Sequence, residues 1–215
     1  MRDKLMGNEL IPNSDCSTEL DVFDTLANIG EGFLPRLQLF SGRSDACSEG
    51  LIPINHYGIV DGDDIVDLGE RIIIGVLAAR HKAMCTQGEV QCSYNPESDL
   101  FKQLVVDSGI KDSGCMYGPE FLVYIPAIQK FATYFMGSKT ARREAKKFKP
   151  LMNKPAILDS KNIEKGKYKW RGPVILPCPD QIELPPVEKM EAERAKFKNP
   201  PEDTVEVAEE DNRER

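Results

Sequence analysis

The sequence predicts a mainly β protein with one central helix. Short β-branched and aromatic runs recur between turn-forming Gly, Pro, Asn and Asp residues, a pattern typical of strands. One amphipathic, well-capped helix follows these runs, and two further runs around a glycine predict a closing hairpin. This order of elements is that of an OB-like Greek-key barrel with insertions, which places its helix between the third and fourth strands. A mixed β sandwich with one helix fits nearly as well.

The first half of the chain predicts strands of different clarity. Residues 33–40 alternate between apolar and polar side chains, which favours a half-buried strand. Residues 70–80 form a β-branched run and predict the clearest buried strand, with residues 83–92 as its possible hairpin partner. Residues 100–106 are compatible with a short strand or with a helical turn, and the sequence leaves both open.

Two hairpins are predicted in the second half. Residues 121–125 and 130–135 are apolar, aromatic runs joined by a short connection, which is typical of an antiparallel pair. Residues 155–160 and 167–176 flank a turn around Gly166 and predict the closing hairpin.

The central helix is predicted between these hairpins. Ser138 is a favourable N-cap residue, and Pro150 is expected to end the helix. Ala141, Ala145 and Phe148 share one face and are expected to be buried. The other positions form a basic outer face: Arg142, Arg143, Lys146, Lys147 and Lys149.

These elements predict four regions along the chain. Residues 1–30 form an N-terminal arm, and residues 31–184 form the OB-like barrel domain. Residues 185–200 form a linker with a short helix of Glu and Lys composition. Residues 201–215 form an acidic, disordered tail, because they combine high charge with few apolar side chains.

Charge is distributed very unevenly along the chain. The whole protein has a net charge of -7, whereas residues 139–171 carry a local charge of +9. Residues 201–215 carry a local charge of −5. A basic segment favours binding of a polyanion, and an acidic tail behind it can limit that binding by competing for the basic segment. The pattern therefore predicts a nucleic-acid partner.

Aromatic residues within the basic segment strengthen this expectation, because aromatic rings stack on bases and nearby cations contact phosphates. On a strand, Tyr168 and Trp170 would share one face while Lys167, Lys169 and Arg171 take the other. One strand therefore cannot offer both groups to the same ligand. The predicted phosphate-binding residues are Lys139, Arg142, Arg143, Lys146, Lys147, Lys165, Lys167, Lys169 and Arg171, and the predicted stacking platforms are Tyr134, Tyr168 and Trp170.

No cofactor or metal is expected. The six cysteines include no C-x-x-C pair, and the best interpretation is reduced thiols. Asp61, Asp63, Asp64 and Asp67 lack the ligand spacing of a calcium loop and are interpreted as an acidic turn. Residues 137–140 do not form a phosphate-binding loop, because the preceding glycine is missing. No secretory leader or bilayer-length apolar run is visible, which favours a soluble intracellular protein without membrane association.

The segment Gly166-Lys167-Tyr168-Lys169-Trp170, with the acidic residues 201–215 behind it, resembles the single-stranded-DNA-binding proteins of tailed phages. The resemblance covers residues 121–215 by order of elements. It implies an OB barrel that binds the strand, and an acidic tail that competes with DNA and recruits replication proteins. It also implies a location in the cytoplasm of a bacterial host.

The leading hypothesis is a non-enzymatic, sequence-tolerant single-stranded nucleic-acid-binding protein of replication or recombination. A viral structural or assembly protein is the main alternative, in which the basic segment contacts an acidic protein. A metal-dependent nuclease that uses the acids of residues 61–70 is a third possibility. Oligomeric state and the choice between DNA and RNA stay open.

Overall fold

The computed structural model describes residues 34–42, 44–87, 90–166, 168–199 and 204–205. Within these residues ten strands form one connected sheet. The strands are Arg36–Leu39 (β1), Tyr57–Asp61 (β2), Asp64–Gly69 (β3), Ile72–Cys85 (β4), Gln91–Ser93 (β5), Cys115–Ile125 (β6), Lys130–Phe135 (β7), Pro155–Lys165 (β8), Tyr168–Pro177 (β9) and Thr204–Val205 (β10). The helices are Asp45–Ser48 (α1), Asp99–Asp107 (α2), Lys139–Ala145 (α3), a 3₁₀ helix at Lys146–Leu151, and Val187–Lys198 (α4).

The sheet curls into a half-barrel. The expected mainly β, barrel-like architecture is therefore confirmed. Its strand order is β10-β5-β4-β6-β7-β1-β2-β3, and β8 joins the first part of β4 with β9 beside it. Strands β1 and β7 pair in parallel, and the other ladders are antiparallel. The sheet is wider than the five strands of a minimal OB barrel.

Helices cover both faces of the sheet. In β6, Phe121, Val123 and Ile125 point to one face, where they pack in a single core with α3 and the 3₁₀ helix. Leu122 and Tyr124 point to the opposite face and pack around Phe197 of α4. This period of two explains why the β6 sequence is apolar at consecutive positions: both of its faces are buried.

The described residues contain the two expected helices, the central one and the short one within residues 185–200, and also α1 and α2. The ambiguous residues 100–106 lie in α2, where the Ser98 hydroxyl accepts a hydrogen bond from the Phe101 amide at 3.2 Å and caps the helix. Phe101 and Leu104 then pack on the sheet, so tertiary burial decides the ambiguity in favour of helix. The connection between β1 and β2 contains the short α1.

Several boundaries also differ from expectation. The buried strand predicted at residues 70–80 continues to Cys85, and its hairpin partner is reduced to β5. The central helix changes to 3₁₀ geometry after Ala145, and Pro150 lies inside that extension rather than ending the helix. Residues 1–30 lie outside the described part, as do residues 201–215 apart from β10.

Candidate nucleic-acid interface

The basic helix is held in place by its cap and its apolar face. The Ser138 hydroxyl accepts a hydrogen bond from the Ala141 amide at 3.1 Å, which confirms the predicted N-cap. Ala141, Ala145 and Phe148 are buried in the core, also as predicted. This anchoring fixes the direction in which every basic residue of α3 points.

The closing hairpin lies beside this helix. In the β8–β9 register, Ile163 is opposite Trp170 and Lys161 is opposite Gly172. A β-carbon added at Gly172 would lie 2.6 Å from Ile163 Cδ1 and 3.1 Å from Thr140 Cγ2. The helix therefore packs closely against the hairpin face that carries Gly172, and it leaves Trp170 39 % exposed on that same face.

This register adds a residue that the sequence analysis missed. Directly opposite residues of an antiparallel pair share a face, so β8 contributes Lys161 to the face on which β9 carries Trp170. The side chain of Lys161 is 54 % exposed. A tight turn at Gly166 implies this register, so the turn was the sequence signal that could have identified Lys161. On β9 alone the aromatic and basic side chains lie on opposite faces. Lys161 of β8 supplies a basic side chain to the face that carries Trp170.

Three cations of the helix point away from the core. Lys139, Arg143 and Lys146 follow the i, i+4, i+7 spacing of one stripe opposite the buried face, and all three are exposed. Among the described acidic side chains, none lies within ion-pair distance of this stripe. We call Lys139, Arg143, Lys146, Lys161 and Trp170 together the helix–hairpin surface.

Glu144 joins the helix to the hairpin electrostatically. Its carboxylate lies 2.6 Å from Lys147 Nζ and 3.5 Å from Lys161 Nζ. Burial acts to raise the pKa of this carboxyl, but the hydrogen bond and charge of Lys147, and then Lys161, outweigh burial and hold the pKa below its usual value. Lys147 is therefore partly neutralised, and Lys161 is held at the junction between helix and hairpin.

Arg142, predicted to contact phosphates, has a different role. Its guanidinium donates hydrogen bonds to the carbonyl oxygens of Tyr117 at 2.8 Å and Gly137 at 2.5 Å. It also lies 4.1 Å from the centroid of the Tyr117 ring. The side chain is half-buried and fastens α3 to β6, because its position on the helix turns it toward the sheet. We correct its assignment from phosphate contact to structural clamp.

Tyr134, predicted as a stacking platform, lies in the core. It is 4 % exposed, and its ring centroid lies 6.3 Å from that of Tyr57 and 6.4 Å from that of Phe148. Burial raises the pKa of its hydroxyl. A ring enclosed in this way cannot stack on a base in this fold, so we remove Tyr134 from the candidate site.

The remaining predicted residues that the structure describes lie on the β8–β9 hairpin. Lys169 lies 2.9 Å from Glu164, and Arg171 lies 3.8 Å from Glu70 and donates from Nε to Asn162 at 3.2 Å. These two cations occupy the face opposite Trp170 and already have polar partners. The backbone positions of Lys165 and Tyr168 are paired in the β8–β9 register, and Lys167 lies outside the described residues.

Two of the acids of residues 61–70 already have polar partners. Asp67 contacts His56 Nδ1 at 2.9 Å and accepts a hydrogen bond from the Gly69 amide at 2.8 Å. Asp61 accepts a hydrogen bond from Lys130 at 3.1 Å. Across the described ranges, no three His, Cys, Asp or Glu side chains form a group that could hold a metal ion. The geometry therefore gives the nuclease alternative no support.

No family model, curated protein or solved structure matches the chain. In the part of the chain that the structure describes, no helix is long and apolar enough to cross a bilayer. The functional conclusion therefore depends on the chemistry of the helix–hairpin surface itself.

Proposed function

We propose that the protein is a non-enzymatic, sequence-tolerant single-stranded DNA-binding protein of replication or recombination, and that the helix–hairpin surface is its binding site. The observation that carries the proposal is the β8–β9 register, which supports placing Lys161 on the same face as the exposed Trp170. The outward stripe formed by α3 and the first residue of the 3₁₀ helix adjoins this face and adds three cations without acidic partners among the described residues.

This combination fits an unpaired strand. Stacking on an aromatic ring needs a base whose face is free, and contributes about 1–3 kcal/mol per base. The same ring offers little to a duplex, whose bases are already stacked. Lys139, Arg143 and Lys146 supply positive charge along one line, which suits a flexible phosphate backbone.

The proposal includes the finer architecture. We propose that the half-barrel is a widened OB-like barrel, in which α3 and the β8–β9 hairpin follow the β6–β7 hairpin as in the phage single-stranded-DNA-binding proteins that the sequence resembles. In this proposal the acidic residues 201–215 compete with DNA for the basic surface and offer a docking segment to replication proteins.

The proposal is tested by fluorescence anisotropy of a labelled oligo(dT) and of its duplex across a salt series. The test variant combines Lys139→Gln, Arg143→Gln and Lys146→Gln. Loss of three phosphate contacts should reduce the slope of log K against log salt by about 2. The matched control combines Lys102→Gln, Lys111→Gln and Lys198→Gln, which removes the same charge from exposed positions elsewhere. Its slope should stay close to that of the wild type.

Two results would contradict the proposal. If neither oligo(dT) nor duplex binds at low salt, the protein is not a nucleic-acid-binding protein. If the test and control variants lose affinity equally, binding reflects overall charge and the helix–hairpin surface is not the site.

A viral structural or assembly role is the second candidate, and one feature of the sheet favours it. Within the described residues β9 pairs only with β8, so its outer edge is available for backbone pairing with another chain. Trp170 and Leu176, which is 36 % exposed, lie on this strand. This alternative predicts a stable oligomer by light scattering and no salt-sensitive affinity for oligo(dT).

A further inference from the structure

Two cysteines lie opposite each other at one end of the sheet. Cys85 ends β4, Cys115 begins β6, and the antiparallel register pairs them directly. Opposite residues of such a pair have α-carbons about 4.5–5.5 Å apart, which is within the range that a disulfide bridges. The two Sγ atoms are 2.6 Å apart, and both cysteines are free of a disulfide. A bond between them therefore requires little movement of either strand.

The surroundings give the two thiols different access to solvent. Cys85 is 8 % exposed and packs with Phe101 and Leu104 of α2, whereas Cys115 is half-buried. Both sulfurs face the carbonyl oxygen of Ser113, at 3.3 Å from Cys85 and 3.6 Å from Cys115. Burial, followed by the hydrogen bond with Cys85, raises the pKa of the Cys115 thiol to about 11. Reaction should therefore be slow at neutral pH and faster in alkaline solution.

We propose that Cys85 and Cys115 form a redox-sensitive modification site, which a low-molecular-weight disulfide converts to an intramolecular disulfide. The Cys115 thiolate attacks one sulfur of the small disulfide and releases the first small thiolate. The Cys85 thiolate then attacks Cys115 Sγ in the mixed disulfide and releases the second. Two electrons and two protons leave the protein, and two small thiols form from one small disulfide.

The bond would constrain a defined part of the fold. It closes the loop 85–115, which contains β5 and α2. A loop of about 30 residues loses substantial freedom in the unfolded state when its ends are joined. The oxidised protein should therefore unfold at a Tm higher by about 5–10 °C, provided that native geometry is kept.

The test treats the folded full-length protein with oxidised glutathione at pH 8.5, blocks remaining thiols with iodoacetamide, and maps the peptides by mass spectrometry. We expect a cross-linked pair containing Cys85 and Cys115, and a thiol count lower by two. Cys115→Ser should abolish the cross-link, whereas Cys47→Ser and Cys178→Ser should retain it. The Tm of the oxidised wild type should rise, and dithiothreitol should reverse the change.

If Cys115→Ser fails to fold, peptide mapping of the oxidised wild-type protein still tests the proposal. Recovery of alkylated Cys85 and Cys115 under conditions that glutathionylate Cys47 or Cys178 would overturn it. A predominant link from either residue to a different cysteine would overturn it as well.

Discussion

Replacing Glu120 with glutamine should destabilise the protein strongly. Glu120 lies in β6 and is 1 % exposed. Its carboxylate accepts hydrogen bonds from Arg80 Nε at 2.7 Å and from Lys82 Nζ at 2.8 Å, both on the neighbouring β4. Glutamine keeps the shape of the side chain but removes the charge that balances two partly buried cations.

The magnitude follows from the burial of these partners. The side chains of Arg80 and Lys82 are only 16 % and 11 % exposed, so water cannot replace the lost carboxylate. Breaking a buried ion pair by removing one partner costs about 3–5 kcal/mol. Arg80 retains its bond to the Phe197 carbonyl at 2.6 Å and its stacking on Tyr94. We therefore expect the free energy of unfolding to fall by about 3 kcal/mol, the lower end of this range.

Urea unfolding measures this cost, with Glu164→Gln as the matched control. Glu164 also pairs with a lysine, Lys169, but is 62 % exposed. Its replacement should cost at most about 1 kcal/mol. Glu120→Gln should lower the urea midpoint by about 1–1.5 M at an m-value of about 2–3 kcal/mol per M. If both variants unfold at the same midpoint as the wild type, the argument from buried charge is refuted.

Three further predictions concern the site and the core. Trp170 is the single tryptophan of the chain, so oligo(dT) binding should quench the intrinsic tryptophan fluorescence, and unquenched emission at saturation would exclude stacking. Trp170→Ala should weaken oligo(dT) binding by about 5- to 100-fold with little change in the salt slope. The pKa of Glu144 is lowered in the folded protein, so its ion pairs stabilise above the ordinary pKa of about 4.3, and this contribution is lost as the pH falls. The difference in urea midpoint between wild type and Glu144→Gln should accordingly shrink from pH 7 to pH 3, and a constant difference would contradict the assignment. Tyr134→Ala should cost about 3–5 kcal/mol in unfolding free energy because it empties a buried site, whereas a surface platform would tolerate the change.

Local sequence patterns predicted the elements that local physics determines. The Ser138 cap and the spacing of Ala141, Ala145 and Phe148 define α3 without reference to the rest of the chain. The β6–β7 and β8–β9 hairpins were predicted because their strands are adjacent in sequence and are joined by short turns. In each case the interacting residues are close along the chain, so composition and period suffice.

The errors arose where tertiary contacts decide. Strand β7 has aromatic side chains on both faces, so its sequence does not indicate that Tyr134 faces the main core. Arg142 looks like its basic neighbours on α3, and only the position of β6 turns it into a clamp on carbonyl oxygens. The parallel pairing of β1 with β7 joins residues 36–37 to residues 133–134, a separation that no local pattern encodes.

The 14-residue strand β4 has a consequence for how the chain folds. It pairs with β5, β6 and β8, and it also contributes to the cores beneath α2, α3 and α4. Its partners come from widely separated parts of the sequence, so most native contacts close long loops before they stabilise the chain. The described fold should therefore assemble slowly, on the millisecond-to-second scale of high-contact-order proteins, and unfold as one cooperative unit, because no layer remains supported once β4 detaches.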